Sequence, residues 1–124
     1  MAKKVLVIDD EPETLSLVKS ALEPAGFEVH TCDNGRQAWE EIAKVKPDVL
    51  VLDVMLPGID GYALQIKIAS EPATKDLPVV VLTALEPAKT IFQKFPQVVG
   101  FMTKPFKPEE LLKTVQDASV KVAG

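Results

Sequence analysis

One cysteine, Cys32, is the only thiol in 124 residues, so no disulfide forms within the chain. One histidine, His30, stands alone and cannot by itself make an imidazole metal site. No apolar run approaches the roughly 18 residues of a membrane-spanning helix. The opening MAKKVLVIDD lacks the apolar core of a secretory signal. Positive charge is not in excess: the formal net charge is −4, which argues against nonspecific grip on nucleic acid or anionic lipid while leaving room for a small basic site. There is no internal repeat and no low-complexity stretch. These absences lead us to expect a soluble cytoplasmic protein, with no membrane and no direct nucleic-acid partner.

The rest of the composition is ordinary. Apolar residues make up 47% and charged residues 26%, a normal globular balance. The length fits a single domain over residues 1–124, its core spanning about 4–120, with enough chain for one hydrophobic core.

The stretch VLVIDDEPE, Val5 to Glu13, poses the first chemical question. Val5–Ile8 reads as a strand covered on both faces, yet Asp9, Asp10 and Glu11 follow at once. Adjacent like charges repel, and partial burial raises that cost. Either the strand end is freely solvated or a cation compensates.

Strand-like and helix-like runs then alternate. Pro12 suits a first helical turn, Leu15, Val18 and Leu22 recur at helical spacing, and Gly26 is a stop signal. Phe27–Cys32 alternates as a half-exposed edge strand does. Asn34 is placed to cap a helix carrying Ala38, Ile42 and Val45 on its inner face, and Pro47 breaks it. Val49–Leu52 is a second buried run and also ends in an acid, Asp53. Pro57, Gly58 and Gly61 mark a loop before a helix from Tyr62 to about Ser70. Val79–Leu82 ends at Thr83. A weaker segment, Pro87–Phe95, predicts a short helix; Val98–Met102 is a fifth strand ending near Lys104. Pro108 starts a last helix with Leu111, Val115, Ala118 and Val122 in register.

Five βα units of this kind predict an α/β fold, a parallel sheet with helices on both faces. Ligands of such sheets bind beyond the carboxyl ends of the strands. Asp9 and Asp10, Asp53, Thr83 and Lys104 follow four different strands and should meet at one edge. Carboxylates gathered there suit a hard divalent cation such as Mg²⁺. A hydroxyl and an ammonium beside them suit a tetrahedral anion, and a carboxylate is itself a possible nucleophile that forms an acyl phosphate. Taken singly, each residue has a plainer reading: a solvated acidic turn for Asp9, Asp10 or Asp53, a cap for Thr83, a surface lysine for Lys104, plain core for Phe101. The combination is what argues for chemistry. His30 reads as a surface residue, Cys32 as semi-buried, Trp39 and Tyr62 as packing residues.

VLVIDDEPE, VLDVMLPGIDGYAL, VVVLTA and FMTKPF, in this order and at these separations, resemble the receiver domain of two-component response regulators, over Lys4 to about Val120. The resemblance implies a flavodoxin-like (βα)5 sandwich of strand order 2-1-3-4-5. It implies that Asp53 accepts a phosphoryl group from a histidine kinase or phosphotransfer protein, in a reaction needing Mg²⁺. Asp9, Asp10, Asp53 and the backbone carbonyl of Met55 are the implied metal ligands, with Asp10 direct and Asp9 direct or through water. Thr83, the Ala84 backbone and Lys104 are the implied phosphoryl contacts. Thr83 and Phe101 are the implied switch pair, and Lys104–Pro105 the implied cis bond. An output domain or protein target would read the state at the surface around the fourth helix and fifth strand, and the chain would be a monomer or weak dimer.

Some residues depart from the family pattern. The stretch from Thr83 to Lys104 is slightly short, carries Pro87 and Pro96, and lacks the usual Gly-Ala before the fifth strand, so the fourth helix is expected to be short or displaced. Met55 and Leu85 flank the implied acyl phosphate. Neither can hold an attacking water by hydrogen bonding, which predicts slow self-dephosphorylation. Three other functions compete. A dehalogenase-type phosphatase would need a second acid two residues after Asp53, where Met55 stands, and a cap domain. A flavin binder would need Gly, Ser or Thr donors where the first turn has acids. A pseudo-receiver, a constitutive interaction module, would not need the acids, Thr83 and Lys104. No enzymatic turnover is expected beyond self-phosphorylation from a phosphodonor and slow self-dephosphorylation.

Overall fold

The fold follows from the alternation of buried runs and amphipathic segments. The structure, a computed structural model, describes residues 2–56, 60–84 and 87–121. Its strands are β1 (Lys4–Ile8), β2 (Glu28–Cys32), β3 (Val49–Leu52), β4 (Val79–Thr83) and β5 (Val98–Thr103). Its helices are α1 (Pro12–Leu22), α2 (Ala38–Val45), α3 (Gly61–Ser70), α4 (Ala88–Phe92) and α5 (Pro108–Lys121). All strand pairings are parallel, in the order β2-β1-β3-β4-β5, so the fold is the expected flavodoxin-like one. Pro57, Gly58, Leu85 and Val122, singled out above, lie outside the described residues.

The pleat divides the core into two. Successive strand residues point to opposite faces. Leu6, Ile8, Leu50, Leu52, Val79 and Val81 therefore pack with Ala38, Ile42, Leu64, Ile68 and Phe92 of α2, α3 and α4. Val5, Val7, Val49, Val51, Val80 and Leu82 pack with Val18, Leu22, Leu111, Val115 and Ala118 of α1 and α5. Apart from Lys4 and Thr83 at their ends, the three central strands are apolar because both of their faces are covered. Burying one such side chain is worth about 1.5–3 kcal/mol.

Local chemistry sets the helix ends. Pro12 opens α1, and the chain leaves through a 3-10 turn closed by Gly26 at φ 98°, where a side chain would be strained. The Asn34 side chain accepts from the Gln37 amide and caps a 3-10 turn that leads into α2. Lys46 then ends α2 in a left-handed conformation. Asp60 caps α3, accepting from the Tyr62 and Ala63 amides. The fourth helix is short, as expected, and ends at Phe92 rather than Phe95, with a turn before β5. One side chain, Cys32, differs from its sequence reading. Cys32 is buried rather than semi-buried, because β2 is covered at its carboxyl end, and its thiol donates to the Asn34 carbonyl at 3.2 Å. Tyr62 does pack, against Phe92 and Phe95, but remains partly outside because α4 is only five residues long.

Candidate functional site

β1 and β3 are neighbours in perfect parallel register, Ile8 beside Leu52. The residues that follow, Asp9 and Asp53, therefore emerge side by side at the carboxyl edge. The Asp9 amide donates to the Cys32 carbonyl and the Asp53 amide to that of Ile8, at 3.1 and 2.9 Å. Each acid is thus held by continuing the ladder one step past the strand. Asp9 and Asp53 are buried and Asp10 is exposed. Carboxylate oxygens of all three lie within 4.8 Å of one another.

Each buried carboxylate also folds its own turn. Asp9 Oδ1 accepts from the Glu11 amide and Asp53 Oδ1 from the Met55 amide, both at 2.9 Å. The other oxygen of each faces Lys104. Its ammonium lies 3.0 Å from Asp53 Oδ2 and 2.7 Å from Asp9 Oδ2, and it also meets Glu11 Oε1. Only 13% of the Lys104 side chain is exposed, so the sequence alternative of an ordinary surface lysine does not describe it. The Asp9 contact is an ion pair in which Oδ2 receives no well-directed hydrogen bond, although the atom is fully buried.

Electrostatics follow from this crowding. Burial pushes the Asp9 carboxyl above its usual range, and the nearby Asp53 charge adds to the push. The Lys104 ammonium and the hydrogen bond from the Glu11 amide offset only part of it. For Lys104, burial works against the ammonium, but its bonds to Asp9, Glu11 and Asp53 outweigh this and hold it firmly charged.

β4 and β5 bring the remaining residues. Thr83 is fully buried at the end of β4, and its carbonyl accepts from the Lys104 amide at 3.0 Å. Any displacement of Thr83 is therefore felt by the Lys104 backbone. Ala84 is exposed just beyond it. Phe101 is half-buried opposite Val81 and packs on the core beneath α2, α3 and α4. The Lys104–Pro105 peptide is cis. Met55 sits in the turn after Asp53 with its side chain 52% exposed. Glu11 is the one site contact the sequence reading did not assign; its only sequence signal was being the third acid in a row.

The donor set fits a hard cation. Three clustered carboxylates are all-oxygen ligands, and the buried Asp9 Oδ2 lacks a full complement of donors. What the edge can do chemically is hold a divalent cation beside a carboxylate, with an ammonium at the same edge to meet an anion.

Comparison with known proteins gives the family. The family model of the response regulator receiver domain matches residues 5–116. The regulator RpaA of Synechocystis is 35% identical over 114 residues, covering 91% of this chain and 47% of the relative. The PhoP regulatory protein of alkaline phosphatase synthesis in Bacillus subtilis is 37% identical over 118 residues, covering 90% of this chain and 46% of the relative. The chain thus spans about half the length of these curated relatives. Among solved structures, a response regulator from Chloroflexus aurantiacus superposes with a TM-score of 0.88 at 34% identity, covering 97% of this chain and 99% of that one. The chemotaxis response regulator CheY4 of Vibrio cholerae gives 0.84 at 31% identity, covering 95% and 99%.

Proposed function

Since the chain belongs to the response regulator receiver family of two-component systems, we propose that it is a phosphorylation-controlled signalling switch with Asp53 as phosphoacceptor. The observation that carries this reading is the meeting of Asp9, Asp10 and Asp53 at one edge with Lys104 already seated on Asp53 Oδ2.

In this reading a carboxylate oxygen of Asp53 attacks the phosphorus of a phosphohistidine on a sensor kinase or phosphotransfer protein. A P–O bond forms, the P–N bond breaks, and the imidazole leaves. Asp9, Asp10, Asp53 and the Met55 carbonyl would hold Mg²⁺, which when bound supplies charge neutralisation for the transferring group. Lys104 keeps its contact with the modified Asp53 by pairing with a phosphoryl oxygen. Thr83 and the Ala84 amide take the remaining oxygens. The hydrogen bond from Lys104 to the Thr83 carbonyl couples these two responses. Phe101, two residues before Thr103 and across from Val81, turns inward as Thr83 moves. The added negative charge and acceptor oxygens thereby bias a two-state surface around α4 and β5, which an output domain or protein target reads. The chain acts in the cytoplasm as a monomer or weak dimer and catalyses no turnover beyond its own modification.

Incubation with acetyl phosphate and Mg²⁺, read by intact mass, tests the chemistry. The expected result is one phosphoryl adduct that needs Mg²⁺ and is absent from Asp53→Asn. A folded protein that takes no adduct would instead be a constitutive interaction module.

A further inference from the structure

Acidic residues are distributed around the molecule except on one pair of helices. The chain carries 18 Asp and Glu, yet α3 contains none, and none occurs from Pro87 to Pro108. Lysines do occur there: Lys89 and Lys94 are both exposed and flank Ile91. An acidic protein thus presents a locally basic surface at α4.

The same surface is apolar at its centre. The Tyr62 ring meets Phe92 edge-on at 6.1 Å and Phe95 at 5.8 Å, which joins α3 to α4. Outside that contact Tyr62 stays 43% exposed, Ile66 42% and Ile91 46%. Ile66 lies four residues after Tyr62, so the two share a flank of α3. The other flank belongs to Lys67, whose ammonium covers the Trp39 ring at 4.5 Å. Five-residue α4 offers little more than one turn, and it leaves this flank open. Half of the six large exposed apolar side chains among the described residues therefore fall on α3 and α4. Apolar side chains gathered in this way, and rimmed by charge, mark an interaction site more often than scattered ones do.

We infer that the α3–α4 face docks an acidic polypeptide segment of another protein, one that presents apolar side chains among carboxylates. Its apolar groups would cover Tyr62, Ile66 and Ile91, while its carboxylates meet Lys89 and Lys94 at the rim, where complementary charge sets specificity and on-rate. A second copy of this chain is a poor occupant, because a two-fold pairing sets Lys89 and Lys94 against their own counterparts. The face contains none of the Asp53, Asp9, Asp10, Thr83 or Lys104 groups, so it is distinct from the phosphoacceptor site.

The test is a titration of ¹⁵N-labelled protein with a soluble peptide of about fifteen Leu and Glu residues at helical apolar spacing. A counterpart carrying Lys for every Glu is run in parallel, together with vesicles of anionic lipid. The expected result is saturable binding of the Glu peptide, with amide shifts on α3 and α4 that fade as salt is raised. Ile91→Ser and the pair Lys89→Glu, Lys94→Glu should each weaken it by about tenfold or more. These positions are exposed, and the dispersion of the amide spectrum verifies folding. Asp53→Asn should bind like the parent chain, which separates this surface from the phosphoacceptor chemistry. The inference is overturned by absence of saturable shifts, by shifts centred elsewhere or by equal binding of the Lys peptide. It is also overturned if the same amides respond to vesicles alone or to self-association.

Discussion

Asp9 and Asp10 are neighbours in sequence yet occupy different surroundings. Asp9 continues β1 into the covered edge, whereas Asp10 faces solvent. The raised Asp9 pKa fixes a sign. The folded state holds the Asp9 proton more tightly than the unfolded chain, so Asp9 favours folding most at acid pH. That contribution is lost as pH rises from about the usual value of 3.8 through the folded pKa. Asp9→Asn should therefore gain stability relative to the parent chain as pH rises through this window, then hold a constant difference toward neutrality. Urea unfolding across pH, in EDTA, measures it; a difference that shrinks with rising pH would contradict the assignment. At Met55 the expectation is kinetic. An apolar side chain beside Asp53 cannot hold an attacking water, so Met55→Asn should shorten the lifetime of the phosphorylated protein by about tenfold, some 1.4 kcal/mol of barrier. Mass spectrometry after removal of the phosphodonor follows the decay. A parent half-life of seconds would remove the basis of this argument.

At the scale of elements, α3 is anchored at both ends. Asp60 accepts two amides at its start, so Asp60→Ala should cost about 1 kcal/mol, seen as a lower urea midpoint at unchanged slope. Gly61 is tighter still. A Cβ there would lie 2.6 Å from the Val54 carbonyl oxygen and 2.8 Å from its Cα, and Val54 belongs to the turn that Asp53 folds. Gly61→Ala should therefore disturb the Asp53–Met55 hydrogen bond and slow phosphorylation, while Asp60→Ala leaves that rate nearly unchanged. Comparing adduct formation in the two variants checks this. Farther along, buried Gln65 donates to Gln97 Oε1 at 2.9 Å, and Gln97 donates to the Thr74 and Leu77 carbonyls at 3.1 and 2.8 Å. This chain of amides ties α3 and the loop before β4 to the residue before β5. It fixes the segment after α4 without needing a long helix there. Losing Gln97 would leave the buried Gln65 amide and the part-buried Leu77 carbonyl without this partner, at about 1–3 kcal/mol each, whereas the Thr74 carbonyl keeps the Leu77 amide.

For the whole molecule, the sheet edge gathers carboxylates whose mutual repulsion a bound cation would relieve. The buried carboxylates of Asp9 and Asp53 share a single ammonium with Glu11, and the exposed Asp10 carboxylate lies beside them. Under the proposed function, Mg²⁺ at ten times its dissociation constant should raise unfolding stability by about 1.4 kcal/mol, because a site built from three strand-end acids exists only in the folded chain. Thermal unfolding with and without Mg²⁺ reads this, and Asp10→Asn should abolish most of the gain. Among the described residues no helix is long and apolar enough to cross a membrane.

The sequence alone determined the elements and the acid-tipped strands. Buried runs such as Val5–Ile8 and Val49–Leu52 are local patterns, and each strand end is one residue from its run. The order of strands and the role of each acid came from resemblance rather than periodicity, because pairing across a sheet leaves little trace in any one segment. Tertiary structure decided the rest. Lys104 meets Glu11 across 93 positions, and Gln65 meets Gln97 across 32. Pleat parity and the reach of neighbouring loops chose Asp9 for burial over Asp10. The brevity of α4 decided that Tyr62 and Ile66 would face outward, since a flank is covered only if its neighbour is long enough. Such outcomes depend on contacts between distant segments, whose geometry exists only once the sheet has closed around its two cores.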